Sequence, residues 1–433
     1  MHDRPRLLFL AQCLPYPPHS GVAARTFNIL KQLRNDFDID LLPFFHRNHQ
    51  PDGDARTASR QALRAVAAFV AEPVPIPGEH FMLRKYWDHL RSLASGRAYT
   101  HYVYDSRAFA AHLRAVIRAH RPDLVHMDSL DLHRWLSDLP SVPVACTHHN
   151  IESELLRRHV PRLANPVLGR YLRLQADRIE RLERELCPRF ALNVTTSELD
   201  AQRLHRLAPG AATVTVPNGT DTEFFQPWGP AADSGPVVFV GPTYSYPNRD
   251  AVDFLLDEIW PTICAADPSA SVRLIGRGAA ADHARYETRP GVRALGHIAD
   301  IRPALAQARC CVVPIRIGGG TRLKILDAWA MGKAVVSTSI GCEGLAVVDG
   351  ENIVIRDQPD AFADAVLRVL HDAPFRTHLE RGARRTAVGT YGWGAIGDHL
   401  RAAYATLLAP VARPSSPVHP APMPIRRHVA FGA

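Results

Sequence analysis

Short apolar runs alternate with amphipathic stretches along almost the whole sequence, and this alternation constrains the fold more than any single motif does. Buried parallel strands read as continuous apolar segments, and joining two of them requires a crossover that is usually a helix. The pattern starts with "RLLFLAQ" (6–12), followed by "ARTFNILKQLRND" (24–36), which sets Phe27, Leu30 and Leu33 at helical spacing. "IDLLPFF" reads as a second strand, a polar stretch covers 46–62, and "ALRAVAAFVAE" reads as a helix. "PDLVHMDS" and "VPVACTHHN" are two further strands, each ending in polar residues where a loop begins. A long helix rich in both charges, about 167–187, leads to "FALNVTTSE" and "ATVTVPNGTDTEFF".

Around 225–236 the composition shifts to "QPWGPAADSGP", a linker, and the alternation restarts. It runs through "PVVFVGP", a helix over 250–266, "SVRLIGRG", "VRALGHI", a helix over 300–308, "CCVVPIRI", a helix over 322–331, "KAVVST", "ENIVIRD" and a helix over 360–371. The chain is therefore expected to be α/β, with two doubly wound parallel-sheet units in tandem. We place the first domain at 1–217 and the second at 218–388. A helix at 389–409 crosses back to the first domain, and a Pro-rich tail at 410–433 is expected to be disordered. Open sheets of this kind bind ligands at the carboxyl ends of their strands.

With 433 residues, 46% of them hydrophobic, the chain can build two proper cores. The net charge of +8 sits mostly in residues 1–217, which hold 29 basic and 22 acidic side chains. Much of that is Arg among Glu on helices such as "RYLRLQADRIERLERELCPR", the signature of a solvated face, although an anionic partner or membrane surface would suit it too. Nucleic acid is not expected as a partner. Seven cysteines, with Cys310 next to Cys311, do not make a disulfide framework and favour a reducing, cytoplasmic setting. The opening "MHDRPRLLFLAQCLPYP" has one short apolar run ended by prolines, too short for a signal segment or for the roughly 20 residues of a bilayer span.

"GGGTRLKILDAWAMGKAVVST" (318–338) concentrates the chemistry. Gly318, Gly319, Gly320 and Thr321 form a turn, and Arg322 and Lys324 follow it at the mouth of a helix whose unpaired N–H groups already favour an anion. Phosphate is the expected ligand; the bland alternative is a Gly-rich loop with two exposed cations. Other signals carry less. "DFDID" has Asp-x-Asp spacing but no nucleotide turn beside it, "LIGRGAA" lacks the last glycine of a dinucleotide fingerprint, and the 22 histidines show no HExxH pattern. No metal is expected. "FMLRKYWDHLRSLA" would lie on a lipid surface through Phe81, Leu83, Trp87 and Leu90, while a core-facing helix explains the same spacing.

These blocks, in this order, resemble the retaining glycosyltransferases of family 4, which have the GT-B fold of two Rossmann-like domains facing a cleft. The carriers are "FVGPTYSYPNRDAVDFLLDEIWP", "LIGRG", the 318–338 block with "SIGCEGL" and "NIVI" in the second half, and "PYPPHSGVAARTFNIL", "THHNIES" and "PNGTDTEFF" in the first. The resemblance implies a nucleotide-diphosphate sugar as co-substrate, with no separate cofactor. The family sets two acids eight residues apart around its glycine turn. Here Asp327 stands at the second place, where the ribose is held, and Gly319 at the first, so that carboxylate is missing; the "GGGTRLK" turn is a recognised variant.

The resemblance further implies that Gly21 in "HSGVAART" faces the cleft and that His149 lies near the donor sugar. Asn218 and Gly219 mark the domain crossing, where Asn218 is also a candidate donor contact, and Asn248 in "GPTYSYPNRD", a further candidate donor contact, stands where relatives carry cations. Glu343 in "GCEGL" either reaches the cleft or remains a surface loop acid. Arg322, Lys324 and His149 are the expected catalytic groups. The implied activity is hexosyl-type transfer to a glycan or lipid-linked acceptor in envelope or exopolysaccharide assembly, in the cytoplasm or at the inner face of the membrane. A nucleotide-sugar epimerase of the same fold and a noncatalytic donor-binding protein are the alternatives.

Overall fold

The structure is a computed structural model that describes residues 4–18, 20–46, 53–80, 82–162, 165–229, 234–318 and 322–409. Gly319, Gly320, Thr321, Phe81 and the 410–433 tail lie outside the described residues. The first unit contains strands β1 (Arg6–Ala11), β2 (Asp38–Phe45), β3 (Phe69–Val70), β4 (Val74–Pro75), β5 (Leu124–Met127), β6 (Val144–His148), β7 (Leu192–Thr195) and β8 (Thr213–Thr215). They form a parallel sheet in the order β3-β2-β1-β5-β6-β7-β8, with β4 beside the end of β2. The second unit contains β9 (Val237–Val240), β10 (Val272–Ile275), β11 (Val292–Gly296), β12 (Cys310–Val313), β13 (Val335–Ser337) and β14 (Val354–Ile355), in the parallel order β11-β10-β9-β12-β13-β14.

Both sheets are covered on both faces, which is why their strands are apolar without a break. In β1, Leu7 and Phe9 enter one core cluster while Leu8 and Leu10 enter another on the opposite side. In the second unit a single core cluster joins Val237, Phe239, Cys310, Val312, Trp329 and Phe362. The strand order reverses between β1 and β5 in the first sheet and between β9 and β12 in the second. At such a reversal the following loops diverge and leave a crevice at the carboxyl ends of the strands.

Several elements differ from the sequence reading. "ALRAVAAFVAE" is not a helix: a helix at Gly53–Arg64 ends just inside it, and Phe69–Val70 pairs with Asp40 and Leu41 as an edge strand. The 250–266 helix is broken into Tyr246–Phe254, a wide π-helical turn at Leu255–Ile259, and Trp260–Ala266. Pro261 lacks an amide hydrogen and its ring crowds the preceding turn, and the wide turn absorbs that conflict. The last stretch, Trp393–Leu408, inserts Trp393, Ile396, Leu400 and Tyr404 into the core of the first sheet. It lies against the helix Gly21–Leu33 so closely that a Cβ on Gly397 would fall 2.7 Å from Cβ of Gln32. Where the chain passes between units, Thr220 bridges to Gly392, and a Cβ on Gly219 would meet Ile396 at 2.7 Å. No helix among the described residues is long and apolar enough to cross a membrane.

Candidate functional site

The carboxyl ends of the two sheets supply the candidate residues. In the second unit, the helix Leu323–Ala330 has Arg322 at its N-cap in extended conformation, and among the described residues no side chain caps it. Its first amides therefore remain available to an anion. Gly318 precedes it at φ +120°, a region that L side chains rarely adopt, and a Cβ there would fall 2.8 Å from Arg322 Nη2. The site predictions for Gly319, Gly320 and Thr321 lie outside the described residues.

Lys324, in the first turn of that helix, is half-buried. Its Nζ donates to Oδ1 of Asn248 at 2.9 Å and sits 4.5 Å from the centre of the Phe239 ring. Asn248 in turn donates to the Pro242 carbonyl at 3.1 Å, which fixes its amide toward the lysine. Burial, aided by the nearby Arg322 charge, lowers the Lys324 pKa to about 7. Burial also lowers Arg322, with Glu343 opposing the shift. Backbone passes close to the polar side chains at this corner. A Cβ on Gly241 would meet Lys324 Nζ at 2.7 Å, and one on Gly278 would meet Thr243 Oγ1 at 2.1 Å.

Asp327 lies one turn further along. Its Oδ1 accepts from Thr220 Oγ1 at 2.8 Å, so it is linked to the segment that joins the units, and burial raises its pKa to about 7. Asn218 belongs to the same crossing: its Oδ1 accepts from Arg25 Nη1 at 2.9 Å. Arg25, 2% exposed, also donates to the carbonyls of Val216 and Pro217 and so staples the crossing to the first helix. The sequence analysis did not single it out, because one more Arg on a charged helix gives no local signal.

Across the cleft, Ser20 caps the helix Gly21–Leu33 by accepting from the Ala23 amide at 3.2 Å. A Cβ on Gly21 would stand 3.6 Å from Leu323 Cδ1, so the two helix mouths face each other. His149 follows β6, with its side chain 10% exposed and Nε2 3.6 Å from Asp128 Oδ1. Thr26 Oγ1 donates to Asp128 Oδ2 at 2.7 Å. Beyond that contact with Asp128, His149 Nε2 has no hydrogen-bond partner among the described residues, and neither has the buried Asn150 Oδ1, so both have capacity for a substrate group. His148 turns away and bonds Asn193 Oδ1 at 2.9 Å. Near His149 stand Asp131 and Glu152; burial raises both carboxyls, and Asp131 adds to the rise of Glu152. Asp131 was not read from the sequence, since only the fold brings the end of β5 beside the end of β6.

Glu343, left open by the sequence, is at the cleft. Its Oε2 accepts from Arg158 Nη1 at 2.8 Å, and its Oε1 accepts from Arg158 Nη2 at 3.2 Å and from Arg203 Nη2 at 2.7 Å. Burial would raise this carboxyl, but the two arginines together outweigh it and lower the pKa. Arg158 Nη1 also lies 3.4 Å from the Gly318 carbonyl, so the first unit reaches the glycine turn of the second.

Residues 19–224 match a family model described as Glycosyltransferase Family 4, and residues 235–372 match one described as Glycosyl transferases group 1. No curated protein matches the sequence. Among solved structures, Anabaena HepE in complex with UDP is 16% identical, with 93% of this chain and 100% of HepE covered at TM-score 0.64; it has also been solved with UDP-glucose. Sucrose-phosphate synthase from Thermosynechococcus elongatus is 16% identical over 93% of this chain and 99% of its own, at TM-score 0.67. A glycosyltransferase from Rickettsia africae is 12% identical over 94% and 100%, at TM-score 0.62. At these identities the likeness is one of fold.

Proposed function

The chain is a glycosyltransferase of the GT-B fold, a family 4 domain followed by a group 1 domain, and from this we propose that it is a retaining enzyme. It moves a hexose from a nucleotide-diphosphate donor to a glycan or lipid-linked acceptor, in the cytoplasm, as a step of envelope or exopolysaccharide assembly. The observation that carries this reading is the pair of helix mouths facing each other across the cleft, with Arg322 and Lys324 on one side and His149 on the other.

The chemistry follows from charge. As the bond from the anomeric carbon to phosphate breaks, the departing diphosphate gains negative charge. Arg322, Lys324 and the first amides of the Leu323–Ala330 helix stabilise it, and groups aimed at developing charge lower a barrier most. Each charge-assisted hydrogen bond contributes roughly 1.5–3 kcal/mol. The new bond to the acceptor oxygen forms on the same face, and the acceptor proton passes to the leaving phosphate oxygen, so no carboxylate nucleophile or metal is required. His149 holds a sugar hydroxyl, Asp327 the ribose, Gly21 the close approach of the first domain, and Gly318, Gly319, Gly320 and Thr321 that of the second. Asn248 orients Lys324, and Asn218 acts through the crossing.

UDP and UDP-glucose, the ligands of the HepE structures, make uridine-diphosphate hexoses the first donors to try. Purified protein incubated with a donor panel, with and without a polyprenyl-phosphate-linked sugar, is followed by phosphorus NMR. Release of nucleoside diphosphate with an unchanged anomeric configuration is expected. Conversion of the donor sugar without acceptor marks an epimerase, and donor binding without turnover marks a noncatalytic protein; either result removes this proposal.

A further inference from the structure

The helix Met82–Ser95 is inside out. Its protein-facing side is polar: Asp88, 3% exposed, accepts from Arg84 Nε at 2.8 Å and lies 3.7 Å from Arg91. Ser92, fully buried, donates to the Arg97 carbonyl at 2.7 Å and accepts from Gln175 at 3.0 Å and Arg178 at 3.1 Å. His89 Nδ1 meets the Tyr171 hydroxyl at 2.6 Å. The solvent side is apolar, with Leu83 85%, Tyr86 62%, Trp87 59%, Leu90 56% and Leu93 47% exposed. Three- and four-residue steps place these five on one stripe. The orientation is specified rather than incidental, because turning the helix over would strip Ser92 and His89 of their partners on the neighbouring helix and leave Gln175 and Arg178 short of a partner. A core-facing helix, one of the two readings the spacing allowed, is thereby corrected; Phe81 lies outside the described residues.

The neighbouring helix Pro166–Leu186 extends the patch. Its Tyr171 faces His89 and its Gln175 faces Ser92, so the two helices run in the same direction. Val167, 76% exposed, and Leu168, 43%, therefore lie toward Lys85 and Tyr86. Lys85, Arg170 and Arg173 are exposed, and the only carboxyl in either 82–95 or 165–176 is the buried Asp88. A contiguous apolar surface costs free energy in water unless something covers it. Here the cover must match Leu and Trp at the centre and cations at the edge, the exposed acids nearby, Glu79 and Asp177, being paired with His46 and Arg157.

We propose that this face of the first domain docks on an anionic lipid surface. Leu83, Trp87 and Leu90 enter the boundary between headgroups and acyl chains, and Lys85, Arg170 and Arg173 contact the headgroup phosphates. An amphipathic helix with Trp and Leu on one side and cations beside them binds a bilayer interface in this manner. The inference stands apart from the donor reading, since it needs no nucleotide.

The test uses the full chain and two vesicle preparations, phosphatidylcholine alone and phosphatidylcholine with about one third phosphatidylglycerol. Co-sedimentation with the anionic vesicles is expected, weakened by added salt, with far less on the neutral ones. Trp87→Ser combined with Leu90→Ser is expected to lower vesicle affinity about tenfold or more, with circular dichroism and donor turnover unchanged, because both side chains are exposed. Lys85→Glu with Arg170→Glu is expected to abolish the preference for anionic vesicles. The proposal is overturned if the wild type stays in solution with anionic vesicles, or if the double serine variant binds them as tightly. It is also overturned if the wild type is a dimer that the serine variant turns into a monomer, since a second copy would then cover the face.

Discussion

On the proposed donor reading, Lys324 is a proton-linked anchor. An ordinary lysine titrates near 10.4, whereas burial brings this one to about 7, so it is largely neutral above that pH until an anion arrives. A diphosphate bound there as proposed would restore the charge, and binding would then take up a proton. Donor affinity is expected to fall by up to about tenfold per pH unit above pH 7, and Lys324→Met should flatten that slope. Titration calorimetry in buffers of different ionisation enthalpy measures the proton directly; zero uptake at pH 8 contradicts the linkage. Stability runs in the opposite sense. The unfolded chain binds more protons at this residue between about pH 7 and pH 10, so the protein gains stability from Lys324 as pH rises through that window. Arg322→Ala is expected to cost about 10²- to 10³-fold in turnover, by analogy with removal of one oxyanion donor. Steady-state kinetics that match the wild type would take Arg322 out of the reaction. Both cations were legible in the sequence because they sit beside the glycine turn. Arg25, Asp131 and Asp128 were not, because their partners lie far along the chain or on a neighbouring strand.

Among the elements, the turns after β9 and β10 are the tightest part of the site. Gly276 has φ +150°, and a Cβ on it would fall 2.2 Å from the Gly241 carbonyl oxygen, which belongs to backbone and cannot swing away. Gly276→Ala should therefore lower stability by about 2 kcal/mol or more and displace the turn that carries Asn248. A thermal unfolding midpoint within a degree of the wild type would show that the backbone yields more easily than this geometry allows. Strands were read well because a sheet covered on both faces demands continuous apolar runs, as in "RLLFLA" and "CCVV". "ALRAVAAFVAE" failed because the same letters serve the end of one helix, through Leu63, a turn, and an edge strand, through Phe69 and Val70; a short apolar run has no period of its own. The helix at Met82–Ser95 shows a second limit, since periodicity locates an apolar face but not the direction it points.

At the scale of the molecule, Glu343 ties the two units together by polar contacts. It joins Arg158 and Arg203 of the first unit to the second, while Arg158 also reaches the Gly318 carbonyl. These groups are only partly buried, with side-chain exposures of 34% for Arg158, 20% for Glu343 and 10% for Arg203, so solvent screens the pairing and its net worth is modest. A modest energy is enough to set a hinge, because about 1.4 kcal/mol shifts a two-state population tenfold. Gly219 and Gly397 allow close contact where the chain crosses, and Arg25 fixes the crossing to the first domain, so motion is expected about that crossing. Glu343→Gln keeps the shape of the side chain but removes the charge that holds the two arginines. It should shift the free enzyme toward an open cleft, raising the radius of gyration in solution scattering and raising the donor KM more than it lowers kcat. Removing one ion-pair partner is salt-sensitive in the wild type alone, so high salt should open the wild type and leave the variant unchanged. Equal radii of gyration for the two proteins at low salt would mean that Glu343 does not govern closure, and that the crossing alone sets the angle between the domains.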